Sequence, residues 1–165
     1  MFFKIVVYCG VWWSIVEKDK NSFSDDFLGT YDVSLDTKNR FSFPAEYRTA
    51  LADKTLVITK GMDGCLYVFT EERYRKFCET QLSSNDGIEK RAIRKLKRVL
   101  TSSAVKKILD SQGRLLLPQN LLKLVEIEKE LVVVGAGDRI ELWNKSRWSE
   151  ETESFDDLED LLEEM

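Results

Sequence analysis

Histidine is absent from the 165 residues. Imidazole acid–base catalysis, Ser-His triads and His-ligated metals are therefore excluded. Cysteine is scarce. Cys9, Cys65 and Cys78 are odd in number and form no C-x-x-C pair. That argues against a disulfide framework or a zinc knuckle, and it fits a reducing cytosol. No apolar run reaches the ~18 residues that suggest a membrane span. Carboxylates are plentiful, but Asp36, Asp63, Asp110 and Asp138 belong to no recognisable catalytic or metal constellation. The chain reads as a non-enzyme with no cofactor and no metal. Proline is down to two residues, Pro44 and Pro118, and both close a copy of the same motif.

That motif is the main feature of the sequence. Its first copy is Asp36-Thr37-Lys38-Asn39-Arg40-Phe41-Ser42-Phe43-Pro44, and its second is Asp110-Ser111-Gln112-Gly113-Arg114-Leu115-Leu116-Leu117-Pro118. The copies lie 74 positions apart. The same offset relates Leu35 to Leu109, Val57-Ile58 to Leu131-Val132, Gly61 to Gly135, Val68 to Leu142, Phe69 to Trp143 and Arg73 to Arg147. One unbroken register is expected throughout, the signature of an internal repeat.

Each copy predicts strand, turn, strand, short helix, strand, turn, strand. In the first, Thr30 to Leu35 alternates apolar residues, Phe41 to Phe43 is a short strand, and Pro44 suits the first turn of a helix over Ala45 to Leu51. Leu56 to Thr59 and Cys65 to Phe69 form a hairpin. Asn39 tolerates the left-handed conformation that Gly113 takes more easily. In the second, Ala104 to Leu109, Leu115 to Leu117, a helix to Val125, Leu131 to Val134 and Arg139 to Trp143 repeat the order. Two helices are expected between the copies, Glu71 to Leu82 and Ile88 to Leu100, broken by Ser83 to Gly87. Asp86 and Glu89 there have capping-box spacing. One copy has too little surface to bury alone, so the two are expected to share a core about a pseudo-two-fold axis.

Charge is unevenly spread. The net value of −4 hides a tail, Ser149 to Met165, with nine acids and no base. Residues 27–148 hold 22 bases against 16 acids, an excess of +6. The folded part alone thus permits a nucleic-acid partner. The helix from Ile88 places Ile88, Ala92, Ile93, Leu96, Val99 and Leu100 on one side, expected to be its buried face. Its other side carries Lys90, Arg91, Arg94, Lys95, Lys97 and Arg98, as a solvated, subunit-facing or DNA-reading surface. The tail spaces Phe155, Leu158, Leu161, Leu162 and Met165 as an amphipathic helix would, and a disordered solvating tail is equally compatible. Residues 1–26 look foreign to the rest. They have the outline of a signal peptide without its cleavage site, and an extended reading frame or unpaired leader is the plainer reading.

The motif's chemistry leaves two readings open. Asp36 can accept turn amides and pair with Arg40, a purely structural role. Arg40 and Arg114 can also present guanidinium forks to phosphates or guanine edges, with Lys38 at the turn tip adding a phosphate contact.

From Phe27 to Trp148 the chain resembles the MraZ family. The resemblance rests on Phe27-Leu28-Gly29, both Asp-x-x-x-Arg motifs with their prolines, Gly61-Met62-Asp63-Gly64-Cys65-Leu66 and Gly137-Asp138-Arg139-Ile140-Glu141-Leu142-Trp143. It implies a mixed α/β, mostly β fold: tandem AbrB-like (SpoVT-AbrB) swapped-hairpin domains forming a pseudo-dimeric, double-psi-like β-barrel with intervening and C-terminal helices. The expected division is a non-family leader at 1–26, a first domain at 30–76, a helical connector at 77–103, a second domain at 104–147 and the acidic tail at 149–165.

The family likeness further implies a cytoplasmic, nucleoid-associated transcription regulator. As a homo-oligomeric ring it would bind double-stranded DNA at short direct repeats in the promoter of the division and cell-wall gene cluster. By that likeness Lys38, Arg40 and Arg114 contact DNA, while Asp36 and Asp110 support the turns. Asn39 stands where glycine is usual, which would stiffen or shift the first turn. Ser111 stands where a basic residue is common, which would weaken the second copy. The competing class is an AbrB-like scaffold or antitoxin-type partner with no operator of its own.

Overall fold

The computed structural model describes residues 26–82 and 90–153. The leader to residue 25, the break at Ser83 to Gly87 with Asp86, Ile88 and Glu89, and the tail from Ser154 lie outside the described residues. Among these there are eight strands and five helices. The first half runs β1 (Thr30–Ser34), β2 (Arg40–Ser42), α1 (Ala45–Leu51), β3 (Leu56–Lys60), β4 (Leu66–Thr70) and α2 (Glu71–Leu82). Helix α3 (Lys90–Ser102) leads to the second half: β5 (Val105–Lys107), β6 (Arg114–Leu116), α4 (Gln119–Leu124), β7 (Glu130–Gly135), β8 (Ile140–Asn144) and α5 (Lys145–Glu153).

The halves exchange strands. Six strands form one antiparallel sheet in the order β1-β7-β8-β4-β3-β5. Strand β1 of the first half lies on β7 of the second, and β5 of the second lies on β3 of the first. The related strands β4 and β8 pair at the centre, and β2 pairs with β6 as a separate two-stranded ribbon. A two-stranded ribbon has little stability of its own. This one is held from below by Phe41, Phe43, Leu115 and Leu117, all buried.

Alternation along the strands sends side chains to two cores. On one face Leu56, Ile58, Leu66, Val68, Leu131, Val133, Ile140 and Leu142 pack under the ribbon, α1 and α4. On the other, Tyr67, Phe69, Val132, Val134 and Trp143 pack under Phe77 of α2, Leu100 of α3 and Trp148 of α5.

The repeat register is not unbroken. Gly61 N–H donates to Cys65 O at 2.8 Å, and its counterpart is Ala136 N–H to Arg139 O at 3.0 Å. Cys65 and Arg139 are still 74 apart, but Gly61 and Ala136 are 75 apart. The second hairpin loop is therefore one residue shorter, and the connection into β7 one residue longer. Leu56 corresponds to Leu131, and Ile58 to Val133, in the same core. A one-residue slip reverses every side chain of a strand. Burial of these pairs selects the shifted register over the sequence offset. The apparent match of Gly61 to Gly135 is accidental. Gly135 is needed for another reason: a Cβ there would lie 2.4 Å from the Leu28 nitrogen, where the segment before β1 crosses β7.

Three further expectations are adjusted. Pro44 and Pro118 sit just before their helices, where their carbonyls accept from Arg48 N at 3.0 Å and Leu122 N at 3.2 Å. Helix α3 buries only its end: Leu100 is enclosed and Leu96 half-buried, while Ala92 and Val99 are exposed. Its last turn is anchored at the Leu100 carbonyl, which accepts from Thr59 Oγ1 at 2.8 Å and Tyr74 Oη at 3.1 Å. The start of the acidic tail, Ser149 to Glu153, continues α5 as helix.

Candidate nucleic-acid interface

Both Asp-x-x-x-Arg segments fold into the same closed turn. Asp36 N–H donates to Arg40 O at 2.8 Å, and Asp110 N–H to Arg114 O at 2.9 Å. Asp36 Oδ1 accepts the Lys38 and Arg40 amides at 2.8 and 2.9 Å, and Asp110 Oδ1 accepts those of Gln112 and Arg114, both at 2.9 Å. The second carboxylate oxygen holds the arginine: Arg40 Nε and Arg114 Nε each lie 2.8 Å from their own Oδ2. The turn requires a left-handed residue at its fourth position. Asn39 supplies φ +58° and Gly113 φ +71°. The hydrogen bonds are the same in both turns, so asparagine does not shift the first. Its side chain adds one, donating from Nδ2 to Gln119 Oε1 at 2.8 Å.

The ribbon brings the turns together. Arg40 faces Leu116, and Ser42 faces Arg114, across the β2–β6 ladder. Residues two apart share a face, so Arg40, Ser42, Arg114 and Leu116 form its outer surface while Phe41 and Leu115 point inward. Arg40 Nη1 comes within 4.0 Å of Asp110 Oδ2, linking one turn to the other. Both arginine side chains are 27% exposed. Each guanidinium is thus aimed by its own aspartate with part of its surface left to solvent. Lys38 stands exposed at the first tip, and Ser111 at the second.

These carboxylates titrate abnormally. The Arg40 guanidinium, then the Arg40 and Lys38 amides, hold Asp36 down to about 2 from an ordinary 3.8. Asp110 is also lowered, chiefly by the Arg114 amide and next by its side chain. A depressed carboxylate pKa adds stability above its unfolded value, and that stability is lost as pH falls through the folded one. Unfolding midpoints in urea should therefore drop between about pH 4 and pH 2 with a contribution from Asp36. Asp36→Asn should flatten that drop. Identical acid limbs for variant and wild type would remove the ion pair from the account.

A further family-like segment, Gly137 to Trp143, is a brace. Glu141 accepts from Arg139 Nε and from Trp143 Nε1, both at 3.0 Å. The Arg139 guanidinium lies 4.5 Å from the centre of the Tyr67 ring. The bases Arg91, Arg94, Lys95, Lys97 and Arg98 of α3 are exposed, but α3 covers the face of the sheet opposite the ribbon. The linear sequence missed the neighbours Gln119 and Arg48. Each comes from the other half of the chain, and no local signal marks it.

These features define a tandem-repeat protein whose halves exchange strands and whose paired aspartate-held arginines share one ribbon. The family profile for "MraZ protein", of antitoxin-like type, matches residues 27–96 and 100–164. The chain belongs to the MraZ family. Relatives include proteins named "Transcriptional regulator MraZ" from Clostridium acetobutylicum (40% identical over 146 residues) and Clostridium beijerinckii (42% over 139), each alignment covering 84% of this chain and 96% of the relative. One from Pediococcus pentosaceus is 40% identical over 142 residues, covering 82% of this chain and 96% of that protein. The match runs beyond Trp148, where the residue-level resemblance ends, and takes in most of the acidic tail. No helix among the described residues is long and apolar enough to cross a membrane.

Proposed function

We propose that the chain is a DNA-binding transcription regulator, not an enzyme, acting in the cytoplasm on the nucleoid. Arg40 and Arg114 contact duplex DNA, Lys38 adds a backbone phosphate contact, and Asp36 and Asp110 hold the turns. The observation that carries this reading is the ribbon itself, with two aspartate-held guanidinium groups diagonally placed on one outward surface. Guanidinium forks suit phosphates and guanine edges. Pre-orientation lowers the entropy lost on binding. The names of the relatives support the same role.

The target is a set of short direct repeats in the promoter of the division and cell-wall gene cluster, read by a homo-oligomeric ring. Each subunit offers few cations and binds weakly alone. Linked sites on successive boxes gain effective concentration, worth up to ~10²–10⁴ in avidity. Selection from random DNA yields the box. Affinity for three boxes at fixed salt should then exceed that for one by at least tenfold. Equal affinities would remove the linked sites. Absence of any salt-dependent binding would favour a scaffold or antitoxin-type partner instead.

A further inference from the structure

The two turns carry unequal charge. Asp36, Lys38 and Arg40 sum to +1, whereas Asp110, Ser111, Gln112 and Arg114 sum to zero. The missing cation arrives from the other half. Arg48 of α1 lies across the second turn: a Cβ at Gly113 would sit 2.7 Å from Arg48 Cδ and 3.3 Å from its Cγ. A side chain at Gly113 would push the Arg48 stem aside, and glycine takes the φ of +71° without strain. Arg48, Ala45, Ser111, Gln112 and Gly113 line a shallow cleft. Arg48 is exposed and joins none of the ion pairs among the described residues. The nearby Glu46 is turned away and accepts from Tyr31 Oη at 3.1 Å. At the first turn α4 contributes neutral Gln119, which accepts from Asn39.

We propose that this cleft is a further phosphate-binding point, with Arg48 as its cation and Ser111 and Gln112 as auxiliary donors. It takes a backbone phosphate of duplex DNA beside the second turn. Each half of the ribbon then has one peripheral cation, Lys38 from within its own turn and Arg48 from across the repeat. The apolar stem of Arg48 packs on Gly113 and fixes where the charged head stands. The inference rests on the DNA-binding reading.

The test uses the full chain and a duplex selected from random sequence. Arg48→Gln keeps most of the stem and removes the charge. It should melt like wild type. It should lower the slope of log affinity against log salt by about 0.9 per bound subunit. Its deficit relative to wild type should then shrink about threefold to fourfold between 50 and 200 mM salt. Lys38→Gln should behave alike at the first turn. Adding Ser111→Lys to Arg48→Gln should restore the slope, because it returns a cation to the same cleft. A wild-type slope in Arg48→Gln, with a reduced one in Lys38→Gln, overturns the inference and leaves the DNA reading standing. So does failure of Ser111→Lys to restore. A wild-type protein whose duplex binding ignores salt overturns both.

Discussion

Arg40→Ala combined with Arg114→Ala should abolish sequence-specific duplex binding while the protein stays folded. A bidentate base contact is worth about 1–3 kcal/mol of discrimination, and a phosphate contact contributes about 0.9 to the salt slope. Losing both arginines should therefore weaken specific binding by about 2–6 kcal/mol per subunit, and multivalency deepens the loss. The stability cost should be small. Each arginine pairs with an aspartate on a partly exposed turn, and such pairs are worth at most ~1 kcal/mol. The aspartates also keep their backbone donors, Lys38, Arg40, Gln112 and Arg114, whatever the side chain at 40 and 114. Fluorescence anisotropy at several salt concentrations, with urea unfolding beside it, separates the two roles. A folded double variant that binds like wild type would leave the arginines holding turns and nothing more.

Phe41→Ala should be the most damaging single change in the ribbon. The ring is 1% exposed, stacks edge-on against Phe43 at 4.7 Å and faces Leu115 across the ladder. Truncating a buried phenylalanine costs about 3–5 kcal/mol, a large part of the ~5–15 kcal/mol that holds a typical domain together. Leu115→Ala should cost about 2–5 kcal/mol. The two residues share one contact, so their effects should couple by about 0.5–3 kcal/mol rather than add. DNA affinity should fall with stability, although neither side chain reaches the outer face. Denaturant titration of both singles and the double gives the coupling. A loss below about 1 kcal/mol in Phe41→Ala would mean that the ribbon does not depend on this core.

The turns were legible because their chemistry is local. Asp36, Asn39 and Arg40 fall within five residues, and every hydrogen bond of the Asp36 carboxylate closes inside that span. Helix α2 was legible for the same reason, and its observed ends are those the sequence implied. The hairpins β3–β4 and β7–β8 were legible too, but the strand partners between halves were not. Nothing near Thr30 names Val134 as its partner, and that pairing joins residues over a hundred positions apart.

The slip in β7 shows where sequence comparison misled. A constant offset of 74 aligned residue types well, even placing glycine on glycine. Leu131 and Val133 nevertheless had to enter the same core as Leu56 and Ile58, and a hairpin loop one residue shorter absorbed the change. Helix α3 misled differently. Its apolar stripe is real, but among the described residues only Leu96 and Leu100 join the core beneath it.

By itself the sequence determined two copies of an aspartate-anchored turn, each with an arginine held at fixed local geometry and a short apolar strand behind it. Only the tertiary structure decided that the halves trade strands and that both arginines share one outward surface. It also decided that Arg48 and Gln119 reach across to the opposite repeat's turn. The reason is range. Turn hydrogen bonds close within a few residues of chain, whereas burial of the common core chooses partners and register from segments the chain itself keeps far apart.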